Sequence, residues 1–213
     1  MYDSPLYPVT PEEADAFVAG QRHGTLIATP PGRHPQVSIL PFVKKGGRID
    51  LHCVQADPTF AAVRANPRVT FFVSDFLAFS PHDWLDDGDA GRATLHFRAV
   101  TFECIATVST DPDDVAAALA ALLRRQEPDA AYRPITDDDF YGPRLRRLAA
   151  VRLDVVGAQA KFKLGTGASV EAKRKVVAGL RLRDEPGDAR AADVIEDALR
   201  RRGEGASGGA GGV

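Results

Sequence analysis

Lys161 and Lys163 are the pair in this chain whose type and spacing most directly suggest chemistry. They follow an apolar run, Val151 to Val156, that predicts a buried strand. In an extended chain, side chains two apart point to one face, so both ammonium groups are presented together. Gly165-Thr166-Gly167 then forms a glycine loop, and Ser169 can cap a helix running through Leu180. Same-face cations delivered into a glycine loop ahead of a helix start are the parts of an anion site. The competing reading is a basic hairpin edge whose lysines are simply solvated.

The other chemistry-bearing residues are more scattered. His96 stands in a segment otherwise rich in apolar residues, where it reads either as a proton donor in a cleft or as a barrel-rim histidine with no catalytic role. Ser38 and His52 lie on predicted strands. Asp137-Asp138-Asp139 is acidic, but three successive side chains diverge and no histidine accompanies them, so it reads as a solvated loop. Cys53 and Cys104 have no metal-ligand spacing and sit among apolar neighbours, which predicts buried thiols and no metal site.

These residues must be positioned by a β-rich chain. Thr10-Pro11-Glu12-Glu13 starts a helix with a capping box, ending near Gly20. Strands are predicted over His23–Thr29, Gln36–Val43, Arg48–Val54 and Val69–Val73, the last extended by Ala78-Phe79 after a kink, with Lys44-Lys45-Gly46-Gly47 as a turn. Asp57-Pro58 opens a short helix to Ala65, and Thr94 to Val108 reads as a long strand. Asp111 to Asp114 open a helix over Val115–Gln126, Arg144–Leu148 reads as one helical turn, and Ala191–Arg202 as an amphipathic helix. Hairpin-spaced strands with sparse helices predict an antiparallel barrel with peripheral helices, not a doubly wound parallel sheet. Residues 1–202 are expected to form one domain and 203–213, rich in Gly, Ala and Ser, a disordered tail.

Composition sets the class. The 213 residues are 44% hydrophobic and carry a net charge of -2, enough for a core and no global pull toward nucleic acid or membrane. No apolar run reaches the ~18 residues of a membrane span. Met1 to Pro5 lacks the basic start and apolar segment of a signal peptide, so a cytoplasmic protein is expected.

Four segments together resemble a known family. His23-Gly24-Thr25-Leu26 follows the first helix, and Leu51 to Pro58 resembles "GHVARANP". Phe79 to Trp84 resembles "YISPSWY". Ala160-Lys161-Phe162-Lys163-Leu164, followed by a basic helix and Val177-Ala178-Gly179-Leu180, resembles "GKFKLSQN…VI.GL". These patterns are similar to those of the PaiB-type FMN-binding proteins, often labelled negative transcriptional regulators. The resemblance spans Met1 to Arg202. It implies a mainly β fold with α elements: a split β-barrel of antiparallel Greek-key type, like that of pyridoxamine phosphate oxidases. It also implies a homodimer with FMN at the subunit interface and flavin-dependent redox chemistry on a small molecule.

Carried onto this chain, the resemblance makes Ser38, His52, Gln55, Thr94, Lys161, Lys163 and Thr166 the candidate FMN-binding residues and His96 the candidate catalytic residue. Arg64 and Arg68 are further phosphate candidates, and Trp84 a core or interface anchor. This chain has Gln55-Ala56-Asp57-Pro58 where the pattern has Arg-Ala-Asn-Pro, and His96 where it has an amide. Gly165-Thr166-Gly167 stands where it has Ser-Gln-Asn. A cleft altered in this way leaves haem or another phosphorylated metabolite as the second ligand reading. Direct nucleic-acid binding is not expected, because the sequence offers no basic recognition helix.

Overall fold

The computed structural model describes residues 8–85, 88–165 and 169–207, with side chains described as far as Arg201. Seven strands form one sheet in the order β2-β1-β5-β6-β7-β4-β3. The strands are β1 (His23–Ala28), β2 (Gln36–Pro41), β3 (Val43–Lys45), β4 (Arg48–Val54), β5 (Arg68–Ser80), β6 (Thr94–Ser109) and β7 (Leu148–Lys163). The sheet is antiparallel, and the described residues include six α-helices: α1 (Pro11–Ala19), α2 (Pro58–Ala65), α3 (Pro112–Gln126), α4 (Gly142–Leu145), α5 (Val170–Arg183) and α6 (Asp188–Ser207). This is the β-rich antiparallel class with peripheral helices that the hairpin spacing predicts.

Local chemistry explains the boundaries. The Thr10 hydroxyl accepts from the Glu13 N–H while the Glu13 carboxylate accepts from the Thr10 N–H, a complete capping box. Asp57 caps α2, Asp111 caps α3 and Ser169 caps α5. Several elements differ from their sequence reading, among them α6, which runs from Asp188 to Ser207 and so enters the segment expected to be a disordered tail. The predicted strand 36–43 breaks at Phe42, a fully buried residue, and Lys44 and Lys45 belong to β3, so the turn is Gly46-Gly47, with Gly46 at φ 57°. The strand from residue 69 and its extension are one 13-residue strand, whose alternation resets where Leu77 and Ala78 are both buried. Finally, β7 does not end at Val156 but continues to Lys163.

The chain divides into two compact units, Thr10–Val73 with Val100–Gln159, and Met1–Val9 with Ser74–Ala99 and Ala160–Val213. In the first unit, β1 pairs with β2 and β5 in a register that places Leu26 between Ser38 and Phe71. Gly24 lies under the Phe71 ring, where a Cβ would come within 2.5 Å of the ring carbons. On β4, Ile49, Leu51 and Cys53 point inward, while Arg48, Asp50 and His52 alternate onto the other face. A satellite core of Val115, Ala116 and Leu145 joins α3 to α4, with Leu148 and Ala150 of β7 packed on it.

In the second unit a core of Leu77, Ala78, Leu164, Val177, Leu180, Ala191 and Ile195 joins the strand ends to α5 and α6. Gly179 lets α5 lie directly against Trp84: a Cβ there would be 2.5 Å from the indole. Asp75, almost fully buried, takes Arg98 at 2.6 Å and Arg190 at 2.7 Å, tying α6 to β5 and β6. Asp188 is paired bidentately by Arg183, whose guanidinium also lies 5.0 Å from the Trp84 ring. The Arg183 hydrogen bonds hold the Asp188 carboxyl below its usual range.

Candidate functional site

The predicted site residues fall into two groups. Thr94, His96, Lys161 and Lys163 belong to the second unit; Ser38, His52 and Gln55 belong to the first. Thr166 lies outside the described residues, as do Gly167 and the opening Met1-Tyr2.

In the second unit, Thr94 and His96 share one face of β6 by strand alternation. His96 is fully buried. Its Nε2 is 2.9 Å from the Ser80 hydroxyl of β5, itself fully buried. Its Nδ1 is also buried and has no hydrogen-bond partner. Burial, reinforced by the positive charge of Lys163, pushes its pKa down to about 4. At neutral pH it is therefore a neutral imidazole. Gly165, at φ 68°, closes over the ring: a Cβ there would be 3.7 Å from His96 Cε1 and 3.6 Å from Lys173 Cγ. Lys161 and Lys163 are half-buried on β7. They are two residues apart on continuous strand, so they project to one face. Ser169 then caps α5, a 14-residue helix, by accepting from the Ala172 N–H.

In the first unit the three candidates have separate partners. The Ser38 hydroxyl is hydrogen-bonded to Thr59 of α2. His52, opposite Ala150 of β7, has a buried Nδ1 without a partner, and burial lowers its pKa. The Gln55 amide donates to the carbonyls of Arg146 and Leu148 at 3.1 and 2.7 Å, and its backbone N–H donates to the Arg147 carbonyl. Gln55 thus ties α2's approach to the start of β7. Asp57 adds a carboxylate at the α2 N-terminus, where it accepts from the Thr59 N–H. Of the further candidates, Arg64 lies over its neighbour Phe60, 5.5 Å from the ring centroid, and Arg68 is exposed.

Sequence reasoning missed two participants. Ser80 pairs with His96 across 16 residues, a contact with no local signature. Thr59 completes Ser38 from a helix position that reads as ordinary.

A phosphorylated flavin requires cations for a dianion and hydrogen-bonding groups for the ring edge. The second unit fits the phosphate: two same-face ammonium groups lead into the N-terminus of a well-formed helix, beside a buried imidazole with an unused nitrogen. The loop at Gln55 does not, because its amide is spent on carbonyls and a carboxylate occupies the helix start. Cys53 and Cys104 are buried free thiols, each raised to about 11 by burial and a nearby carboxylate.

Comparison with known proteins bears on this arrangement. The family profile described as "Putative FMN-binding domain" matches residues 1–156, ending before the two lysines. No curated protein matches the chain. Among solved structures, the flavocytochrome Anf3 from Azotobacter vinelandii is similar at 19% identity and TM-score 0.62, with 79% of this chain and 74% of that chain covered. An FAD- and haem-binding protein from Mycobacterium smegmatis is similar at 16% identity and TM-score 0.58, with 82% and 80% covered. A conserved hypothetical protein from Mycobacterium tuberculosis is similar at 20% identity and TM-score 0.54, with 79% and 96% covered. These likenesses place the fold in the split-barrel class. With the profile spanning most of its length, the chain belongs to the family of FMN-binding domains.

Proposed function

We propose that this protein is a flavin-dependent redox protein of the FMN type, an oxidoreductase acting on a small molecule. The observation that carries the reading is the pair Lys161 and Lys163, half-buried on one face of β7 and leading into the N-terminus of α5, in a chain of an FMN-binding family. In this reading the two lysines hold the phosphate, and Thr94, on the same face of β6 as His96, is a further candidate for contact with the flavin. When bound, the flavin supplies the hydride or electron transfer. His96 stays neutral and offers an N–H or a lone pair, while Lys163 opposes its protonation. Gln55 is assigned to holding its loop.

We further propose that it acts as a homodimer. Val37 and Ile39 on the edge strand β2 are 62% and 72% exposed, an apolar strand face that a second copy would cover. Two buried free thiols suit a reducing compartment such as the cytoplasm. No helix among the described residues is long and apolar enough to cross a membrane.

The visible spectrum of the purified protein and an FMN titration test the reading. Micromolar binding, weakened at least about tenfold in Lys161→Ala/Lys163→Ala, is expected from the loss of charged hydrogen bonds. No flavin signal and no binding at micromolar FMN would refute it. A second reading, haem binding, is favoured by the unpartnered His96 Nδ1. A haem titration in which His96→Ala leaves the Soret shift unchanged removes that ligand.

A further inference from the structure

A second place in the molecule has the makings of a binding site, and it lies in the first unit, on the face of β4 turned away from the core. Strand alternation puts Arg48 and Asp50 on that face. The β3–β4 register sets Lys45 opposite Arg48, and the β4–β7 register sets Arg152 opposite Asp50. Helix α3 borders this surface. Its residues Ala117, Ala118 and Ala121 line a groove of about 310 Å³, with Arg124 one turn further on. Because these helix residues stop at Cβ, the helix borders the strands without filling the space between them.

The charges of the groove do not cancel. Asp50 accepts from Arg48 at 2.8 and 3.1 Å and has Arg152 at 3.8 Å, so one carboxylate serves two guanidiniums. Asp114, at the other end, accepts from the Ser109 hydroxyl at 2.6 Å. Lys45 and Arg124 have no carboxylate partner among the described residues, although both line the groove. Four cations against two carboxylates leave a surplus of two positive charges around an apolar strip.

We infer that this groove binds a small organic anion: a phosphate or carboxylate held by Arg124, Lys45 and Arg48, with an apolar body against the α3 alanines. The guanidinium forks suit the planar or tetrahedral oxyanion, and the volume suits a small metabolite. The site shares no residue with the lysine pair of β7 and does not rest on the flavin reading.

The test is an NMR titration of the full-length, isotope-labelled protein with phenyl phosphate, and in parallel with inorganic phosphate. The expected result is saturable shifts at Lys45, Arg48, Ala118, Ala121 and Arg124 with a dissociation constant below about 1 mM. Inorganic phosphate perturbs the same residues more weakly, because it lacks the apolar body. Lys45→Ala/Arg124→Ala changes two exposed side chains and is expected to weaken binding at least about tenfold. Ala118→Leu, which fills the groove, weakens it as well, whereas Lys161→Ala leaves it unchanged. Shifts confined to other residues in the wild-type map overturn the inference without any variant. So does unchanged affinity in the double variant, or loss of binding in Lys161→Ala, which would assign the anion to β7. Equal affinity for inorganic phosphate, or binding of an acidic peptide in place of phenyl phosphate, overturns the small organic ligand.

Discussion

The buried Ser80–His96 pair makes the stability of this protein sensitive to mild acid, and the sign and size follow from the structure. An unfolded histidine titrates near 6.5, whereas His96 in the fold is held at about 4 by burial and by Lys163. Between those values the unfolded chain binds a proton that the folded chain refuses. Stability therefore rises with pH through this window and falls as pH drops from about 6.5 to about 4. A displacement of roughly 2.5 pH units at about 1.36 kcal/mol each comes to roughly 3 kcal/mol, a large part of the stability of an ordinary domain. The clean perturbation is His96→Asn, which keeps a polar group within reach of Ser80 and removes the titration. Urea unfolding of both proteins at steps from pH 7.5 to pH 4.5 isolates the difference. Every other titrating group, including His52 with its lowered pKa, is common to the two proteins. The wild type should lose most of that roughly 3 kcal/mol in excess of the variant. Parallel curves, or a native-state His96 resonance that titrates above pH 6, would refute the argument that a neutral imidazole is enclosed there.

Three further substitutions test the packing of the second unit. Asp75→Ala leaves Arg98 buried without its carboxylate at 2.6 Å, and the loss expected on breaking a buried pair is about 3 kcal/mol, read as a drop in thermal midpoint. Arg190→Ala, whose side chain is 57% exposed, should cost far less in the same measurement. Gly179→Ala places a Cβ 2.5 Å from the indole of Trp84, so the ring must move, at a cost of about 1–3 kcal/mol. Trp84 is the single tryptophan of the chain, and its emission spectrum should shift in this variant; an unchanged spectrum and midpoint would show that α5 does not lie against the ring.

Much of the fold is legible because local signals agree with one another. The capping box at Thr10 and Glu13, the Asp57-Pro58 helix start and the limits of β4 all appear where short-range chemistry sets them. The misread elements are those where tertiary context overrides local pattern. Past Val156 the run of large apolar residues gives way to Gly157, Ala158, Gln159 and Ala160, so hydrophobic patterning does not show that the strand continues to Lys163. Phe42 looks like one more apolar residue of a strand, yet it is fully buried at the break between β2 and β3, against the edge of Phe71. The site divides in the same way. The same-face lysines follow from spacing alone, whereas the Ser80–His96 bond and the Gln55 tie to the β7 entry join residues 16 and about 90 positions apart.

The continuation of β7 changes what the two lysines can do. On a loop, gathering two long cationic side chains around an anion would cost backbone as well as side-chain freedom, about 1–2 kcal/mol for each ordered residue. On a strand that cost is already met by folding, and only rotamer freedom remains to be lost. The strand stops at Lys163 because Leu164 is drawn into the core with Leu180 and Ile195, and Gly165 then turns the chain at a positive φ. The cations therefore sit at the last rigid position before the turn, with His96 beneath it. Placing Lys163 next to an imidazole with no counter-charge is unfavourable if that imidazole protonates, and burial keeps it neutral. An anion arriving at Lys163 would relieve the positive field at His96, so occupancy of the lysine pair and the basicity of the buried imidazole are coupled by their proximity.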